Sequence, residues 1–419
     1  MLDINFIKEN QEKVKKGTKD KGYDVFLVEQ VLKIDEKRRG LIGKTESLRA
    51  ERNKLGKDDI AKGKKIKEEL KKLEPELSKI ETELKELLYQ IPNLPAEDVP
   101  FGKDENDNVE IKKWGKPEKF SFSPKAHFEL GESLDVIDTQ RGSKVSGTRF
   151  GYLKNEGAIL EFALINLALE TLLKEGFIPV IPPAMISLGS MEGMGYLEHG
   201  GQENMYFLEK DKMVLVGTAE QSIGPMYKDE ILLAKELPKR YVGFSSCFRR
   251  EAGSYGKDTK GIFRVHQFNK IEMFSFAKPE DSDKEHEYLL SLEEKLMQQL
   301  ALPYRVVKMC SGDLGHPAAR KYDIEAWFPS EKSYRETHSV STCTDYQAKG
   351  LNIKFRTKDG EIEFVHMLNG TAFSERPILA ILENYQQKDG SVEIPKVLQK
   401  YTGFKKITPK KCFFPLQIR

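Results

Sequence analysis

Cys247-Phe248-Arg249-Arg250-Glu251-Ala252-Gly253-Ser254-Tyr255-Gly256-Lys257-Asp258-Thr259-Lys260-Gly261, returning through Phe263-Arg264-Val265-His266-Gln267-Phe268-Asn269-Lys270-Ile271-Glu272, reads as a strand, a glycine-containing loop with several cations, and a strand that comes back. Such a hairpin can hold polyphosphate, because the guanidinium fork grips phosphate or carboxylate oxygens in pairs. A surface hairpin with charged edges would be written with the same residues, and on this stretch alone both readings stand. The chain has no GxxxxGK[ST] run, so nothing points to a P-loop.

Working outward, a helical period runs from Ile159 to Glu170, stops at Gly176, and is followed by the short apolar run Phe177-Ile178-Pro179-Val180-Ile181. Strand-like runs recur at 213–216, 241–248, 270–277 and 304–309, too irregularly spaced for a βαβ series. The expected fold class is therefore α+β, an antiparallel sheet with helices packed around it.

The first hundred residues have another texture. From Leu27, apolar residues recur at Val31, Ile34, Leu41, Leu48 and Leu55, with Arg38, Thr45 and Arg52 in the intervening seam positions, an imperfect heptad. Ile66, Leu70, Leu73, Leu77, Ile80, Leu84 and Leu87 keep alternating steps of four and three throughout. The stretch Gly56-Lys57-Asp58-Asp59-Ile60-Ala61-Lys62-Gly63 suits a turn, so the two helices are expected to fold back as an antiparallel coiled-coil arm. Pro75 falls inside the second helix, where it predicts a kink. Lys44 to Lys72 carries eleven Lys/Arg against six acids. That excess suits a phosphate backbone, although a solvated coiled-coil face would also carry many charges. Ile91-Pro92-Asn93-Leu94-Pro95 stops the second helix, and the chain through Trp114-Gly115-Lys116-Pro117 reads as a linker. The expected division is 1–100 coiled-coil domain, 101–119 linker and 120–419 second domain.

The totals exclude more than they suggest. With 68 Lys+Arg against 66 Asp+Glu the net charge is only +2, so any nucleic-acid surface must be local. Cys247, Cys310, Cys343 and Cys412 form no CxxC pair, which argues against a cysteine zinc site or a disulfide framework and fits a reducing compartment. No signal-peptide stretch opens the chain and no eighteen uncharged apolar residues run together, so a cytoplasmic protein with no membrane partner is expected.

Phe248-Arg249-x-Glu251 with the return through His266-Gln267-Phe268 resembles the second signature motif of class II aminoacyl-tRNA synthetases. The resemblance extends to the seryl-tRNA synthetase family through Thr218-Ala219-Glu220, Arg249-Arg250-Glu251-Ala252-Gly253, His266 to Glu272, and Asn369-Gly370-Thr371 followed by Leu382-Glu383-Asn384-Tyr385-Gln386. Phe128-Glu129-Leu130-Gly131, Ser146-Gly147-Thr148-Arg149-Phe150 and the arm fit the same family, so the likeness covers essentially the whole chain.

The resemblance implies a class II catalytic sheet in residues 120–419 that activates serine with ATP and loads it onto tRNA(Ser), with tRNA(Sec) as a second substrate in a host that has it. Arg249 and Arg376 would be catalytic. Thr218, Ala219, Glu220, Arg249, Glu272 and Thr371 would take serine. Arg249, Arg250, Glu251, Arg264, Phe268, Glu336, Thr337, His338, Ser339 and Arg376 would take ATP, with Glu336 also on Mg²⁺ and no zinc. The helix before Gly176 and the strand after it match the first class II motif, which builds a homodimer interface. The arm would bind the long variable arm of tRNA by shape and backbone. Two departures stand out. Asn369-Gly370-Thr371-Ala372-Phe373-Ser374-Glu375-Arg376-Pro377 is one residue shorter than usual before its arginine and adds a proline after it, and Gly217 stands where the family commonly has proline.

Overall fold

The computed structural model describes residues 1–56, 59–197, 201–252, 256, 258 and 260–410. Lys57 and Asp58 of the expected arm tip, Gly253-Ser254-Tyr255, Lys257 and Thr259 of the hairpin loop, and Cys412 lie outside them.

After two short helices, Ile4–Glu9 and Gln11–Asp20, the heptad runs form two long helices, α1 (Phe26–Asn53) and α2 (Ile60–Gln90). At the base, Leu27, Val28, Val31 and Ile34 share a buried cluster with Leu84 and Leu88; at the far end Glu51 pairs with Lys62 at 2.8 Å and Arg49 with Glu74 at 2.9 Å. The start of α1 therefore meets the end of α2 and the reverse, an antiparallel pair. Two of the polar seam positions, Arg38 and Thr45, are satisfied locally. Thr45 is buried and donates to the Leu41 carbonyl at 2.7 Å, while Arg38 and Arg39 converge on buried Asp35 at 2.8 and 3.0 Å. The kink expected at Pro75 does not interrupt α2. Pro75 lies on the exposed side of the helix, where the carbonyl it frees can bond water.

The remainder is built on one eight-stranded sheet: β1 (Val109–Trp114), β2 (Ile178–Val180), β3 (Lys239–Phe248), β4 (Gln267–Ala277), β5 (Tyr304–Lys308), β6 (Arg320–Phe328), β7 (Ser333–Thr342) and β8 (His366–Phe373). Its order is β1-β5-β6-β7-β8-β4-β3-β2, antiparallel except for β2 alongside β3. The linker expectation needs correction here. Val109–Trp114 is an edge strand paired with β5, held by Lys112 to Glu294 at 2.7 Å and by Trp114 stacked on Tyr304 at 5.7 Å. Its sequence, VEIKKW, conceals a strand because an edge with exposed faces carries charge on both.

Three helices, α3 (Asn155–Lys174), α4 (Ser282–Gln299) and α5 (Arg376–Asn384), share a core with the sheet that includes Leu160, Leu164, Leu167, Ile271, Met273, Leu289, Leu296 and Ile381. The helical spacing along α3 aims one stripe at the strands, and Gly176, at φ +82°, turns the chain into β2 in a conformation that costs glycine nothing. Strand β4 serves both faces by its period of two. Ile271 and Met273 enter that core, while Phe274 and Phe276 enter a second cluster with Tyr241 and Met367. No described helix is long and apolar enough to cross a membrane.

Candidate active site

The register of the central strands assembles the site floor. Glu272 on β4 lies directly opposite Gly243 on β3 and Thr371 on β8. Phe268, Lys270 and Glu272 alternate onto one face, and Lys321, Ser339 and Thr371 from neighbouring strands line the same space. At Gly243 a Cβ would meet Ile223 Cδ1 at 2.5 Å, so the Ile223 side chain of the short helix Glu220–Ile223 would have to shift.

Two connected cavities result. The larger, of about 680 Å³, is lined by Thr218, Glu220, Tyr196, Arg249 and Lys270 among others; the smaller, of about 190 Å³, includes Phe268, Glu336, Thr337, Thr371 and Arg376. Arg249, Glu251, Arg264, Lys270, Lys321 and Ser339 line both. The end at Glu220 and Glu272 carries the buried carboxylates and is the acidic end, while the end at Arg376 adds a guanidinium to the cations that line both cavities and is the cationic end.

At the acidic end Glu220 is buried and its Oε1 accepts from Tyr196 Oη at 2.8 Å and Gln347 Nε2 at 3.0 Å. Burial pushes its carboxyl up to about 6; the Gln347 and Tyr196 hydrogen bonds oppose that shift and the neighbouring Glu272 charge adds to it. Burial also raises Glu272, opposed by Lys270, whose Nζ sits 2.5 Å from the Glu272 carboxylate and 3.3 Å from Thr218 Oγ1. Lysine thereby holds a carboxylate and a hydroxyl at the base of the pocket.

At the cationic end the arginines rest on internal partners. Arg249 donates to the Gly217 carbonyl at 3.2 Å and lies 5.2 Å over the Phe268 ring. Arg264 bridges Glu251 at 3.2 Å and Asp258 at 3.0 Å. Arg376 meets the Glu336 carboxylate at 3.0 Å and its backbone carbonyl at 3.1 Å. Burial works against charge on Glu336, but Arg376 and Lys321 outweigh it and hold the carboxyl down at about 2. Glu336 is therefore an anion near neutrality, in line with Ser339 on the same strand.

Four of the residues expected in the site, Ala219, Arg250, Glu272 and His338, line neither cavity. His338 alternates away from Thr337 and Ser339 into the core against Phe373, where burial drives its imidazole down to about 3 and keeps it neutral. Ala219 is wholly buried in the cluster beneath the floor, and Arg250 turns outward over the Tyr206 ring at 6.0 Å. Glu272 is 1% exposed and sits in the floor itself, joined to the cavity through the Lys270 ammonium that lines it. The remaining expected residues all line a cavity. Both departures in sequence are accommodated. The shortened third motif places Pro377 in the first turn of α5, where no helical N–H is required, and delivers Arg376 to the cationic end. Gly217 uses its N–H, which proline lacks, to bond Gln221 Oε1 at 2.7 Å. Lys270, Tyr196, Gln347 and Lys321 complete the site; Lys270 falls inside the His266 to Glu272 run, and no motif marks the other three. Within that run, its period-two placement between Phe268 and Glu272 is what puts the Lys270 side chain on the site face.

An antiparallel sheet carrying a motif hairpin and a terminal arginine helix defines a class II tRNA synthetase, and the model of the tRNA synthetase class II core domain (G, H, P, S and T) matches residues 206–385. The model of the seryl-tRNA synthetase N-terminal domain matches residues 1–95. The serine–tRNA ligase of Dictyoglomus thermophilum is 49% identical over 425 residues, covering 98% of this chain and 100% of that protein; that of Pyrococcus furiosus is 47% identical, covering 98% of each. The crystal structure of seryl-tRNA synthetase from Pyrococcus horikoshii complexed with ATP is similar at a TM-score of 0.93, with 44% identity over 98% of this chain and 100% of that one. The chain belongs to the seryl-tRNA synthetase family, the ATP-dependent serine–tRNA ligases.

Proposed function

We propose a division of labour for the serine–tRNA ligase reaction in which the acidic end of the cavity holds serine and the cationic end holds ATP. The supporting observation is the direct pairing of Glu272 with Thr371 across neighbouring strands, beside Thr218 and Glu220 and close to Arg249. Ionised Glu220 takes the serine ammonium. Glu272 and Thr371 meet its hydroxyl, so alanine would leave buried polar groups unpaired. Arg249 bridges the serine carboxylate and the α-phosphate, Phe268 and Glu251 take the adenine, Arg264 supports the hairpin, and Arg376 takes the γ-phosphate. Serine's carboxylate oxygen attacks the α-phosphorus and pyrophosphate leaves. A terminal ribose hydroxyl of tRNA then attacks the adenylate carbonyl and AMP leaves. No protein base is needed for the first step, because the nucleophile is already ionised, so positioning and electrostatics carry it. The ionised Glu336 carboxylate and the Ser339 hydroxyl fit Mg²⁺ carried in with ATP, which would neutralise phosphate charge.

Because a proton on Glu220 competes with serine, the pH dependence has a fixed sign. Serine-dependent pyrophosphate exchange should show a KM for serine that is flat above about pH 6 and rises toward about tenfold per unit below it. A KM that improves on acidification would remove Glu220 from the ammonium site.

Residues 1–100 are assigned to tRNA binding and the chain from β1 onward to catalysis, with tRNA(Ser) the partner and tRNA(Sec) its alternative. The basic residues near the arm's far end are solvent-exposed, so phosphate contacts should make binding salt-dependent. Replacing Lys64, Lys65 and Lys67 together by Gln should lower the slope of log K against log[salt] by about 0.7 to 0.9 for each phosphate no longer neutralised, while leaving tRNA-free exchange intact. A homodimer is supported by the outer edge of β2 and by Ile178, Ile181 and Phe162, which are 46%, 86% and 61% exposed. The unpaired thiols Cys247, Cys310 and Cys343 support a cytoplasmic setting.

A further inference from the structure

Lys21, just past the helix Gln11–Asp20, is 4% exposed, and its Nζ donates to the carbonyl oxygens of Gly315 at 2.8 Å, His316 at 3.0 Å and Ala318 at 2.9 Å. These three bonds use every donor of an ammonium. The loop gripped in this way, 315–318, is a wall of the larger cavity. Tyr23 lines the same cavity from the N-terminal domain, with its ring edge-on to His316 at 5.3 Å. The loop is held from behind by Asn93, which follows the arm and donates to the Pro317 and Cys343 carbonyls at 2.9 Å each. His316 Nε2 lies 2.8 Å from Tyr346 Oη, and Tyr346 opens the short helix Tyr346–Leu351. The next residue of that helix, Gln347, donates to Glu220 Oε1. Buried polar contacts therefore run from Lys21 through the loop and Tyr346–Gln347 to the carboxylate at the acidic end.

We propose that Lys21 and Tyr23 are positioning residues for the amino-acid pocket, so that the N-terminal domain sets the serine affinity of its own subunit as well as binding tRNA. The proposal rests on the reading of Glu220 as the partner of the serine ammonium. Breaking the grip on the 315–318 loop lets Tyr346 and Gln347 relax and leaves Glu220 less fixed. The arginine-rich end is held by other contacts and does not feel the change. A tRNA that shifts the arm base would act on the same route.

The test is tRNA-free pyrophosphate exchange with the full chain, comparing wild type with Lys21→Met, Lys21→Arg and Tyr23→Ala. Lys21→Met should raise the KM for serine about tenfold with the KM for ATP within about twofold, the size of a modest coupling between sites. Lys21→Arg, which keeps charged donors, should recover part of that loss. Tyr23 is only half-buried, so Tyr23→Ala remains folded if Lys21→Met does not, and it should raise the KM for serine about fivefold. Variants that melt earlier yet keep both KM values, or that lose serine and ATP affinity alike, would show an ordinary domain contact and overturn the proposal. Wild type lacking any serine-dependent exchange would instead bring down the Glu220 reading, and this proposal with it.

Discussion

Arg249→Ala is expected to lower the kcat/KM of serine-dependent pyrophosphate exchange by about 10³-fold or more, on the order of 4 kcal/mol of transition-state stabilisation. The size follows from where the guanidinium sits. It lines both cavities, between the acidic end and the cationic end, and among the described residues it forms no ion pair. It donates to the Gly217 carbonyl and rests on the Phe268 face, so its charge remains available for the oxygens that gain charge as the carboxylate attacks phosphorus. Arg249→Lys keeps the charge and loses the fork, and an intermediate loss of about 10- to 100-fold is expected. Neither variant should unfold, because Arg249 is half-buried and props up no core residue. Wild-type exchange in Arg249→Ala would remove this residue from the reacting centre.

Arg376→Ala should cost about 10²- to 10³-fold, with much of the loss in the KM for ATP. Here the consequence is double. The γ-phosphate loses its cation, and Glu336 loses the partner that contributes most to holding its carboxyl near 2, so the residue assigned to the cation carried by ATP also becomes more easily protonated. A repeat of the exchange assay at raised Mg²⁺ should recover only a small part of the activity. Unchanged kinetics would mean that the shortened third motif, despite delivering Arg376 to the cavity, does not place it on phosphate.

The arm is legible in the sequence through its steps of four and three, and the central strands through their composition and the hairpin between them. What the sequence hides has local causes. Val109–Trp114 reads as linker because an edge strand can carry Glu and Lys on both faces, erasing the alternation that marks a half-buried strand. Pro75 is tolerated because it lies on the outer face of α2. In the site, motif likeness points to whole runs of residues, while the strand presents only alternate side chains; Thr337 and Ser339 reach the cavity and His338 between them goes to the core. Tyr196, Gln347, Lys21 and Tyr23 are illegible in the sequence, since each meets the pocket only through distant parts of the chain. Lys321 is in the same position, arriving from the neighbouring strand β6.

The most direct measurement is exchange of labelled pyrophosphate into ATP by the purified full chain, run in parallel with serine, threonine, alanine and glycine. The account predicts exchange that depends on serine, with alanine weaker by about 10⁴-fold because the paired Glu272 and Thr371 would be left without the hydroxyl proposed for them. Exchange driven equally well by alanine, or none with serine from folded protein, would contradict it.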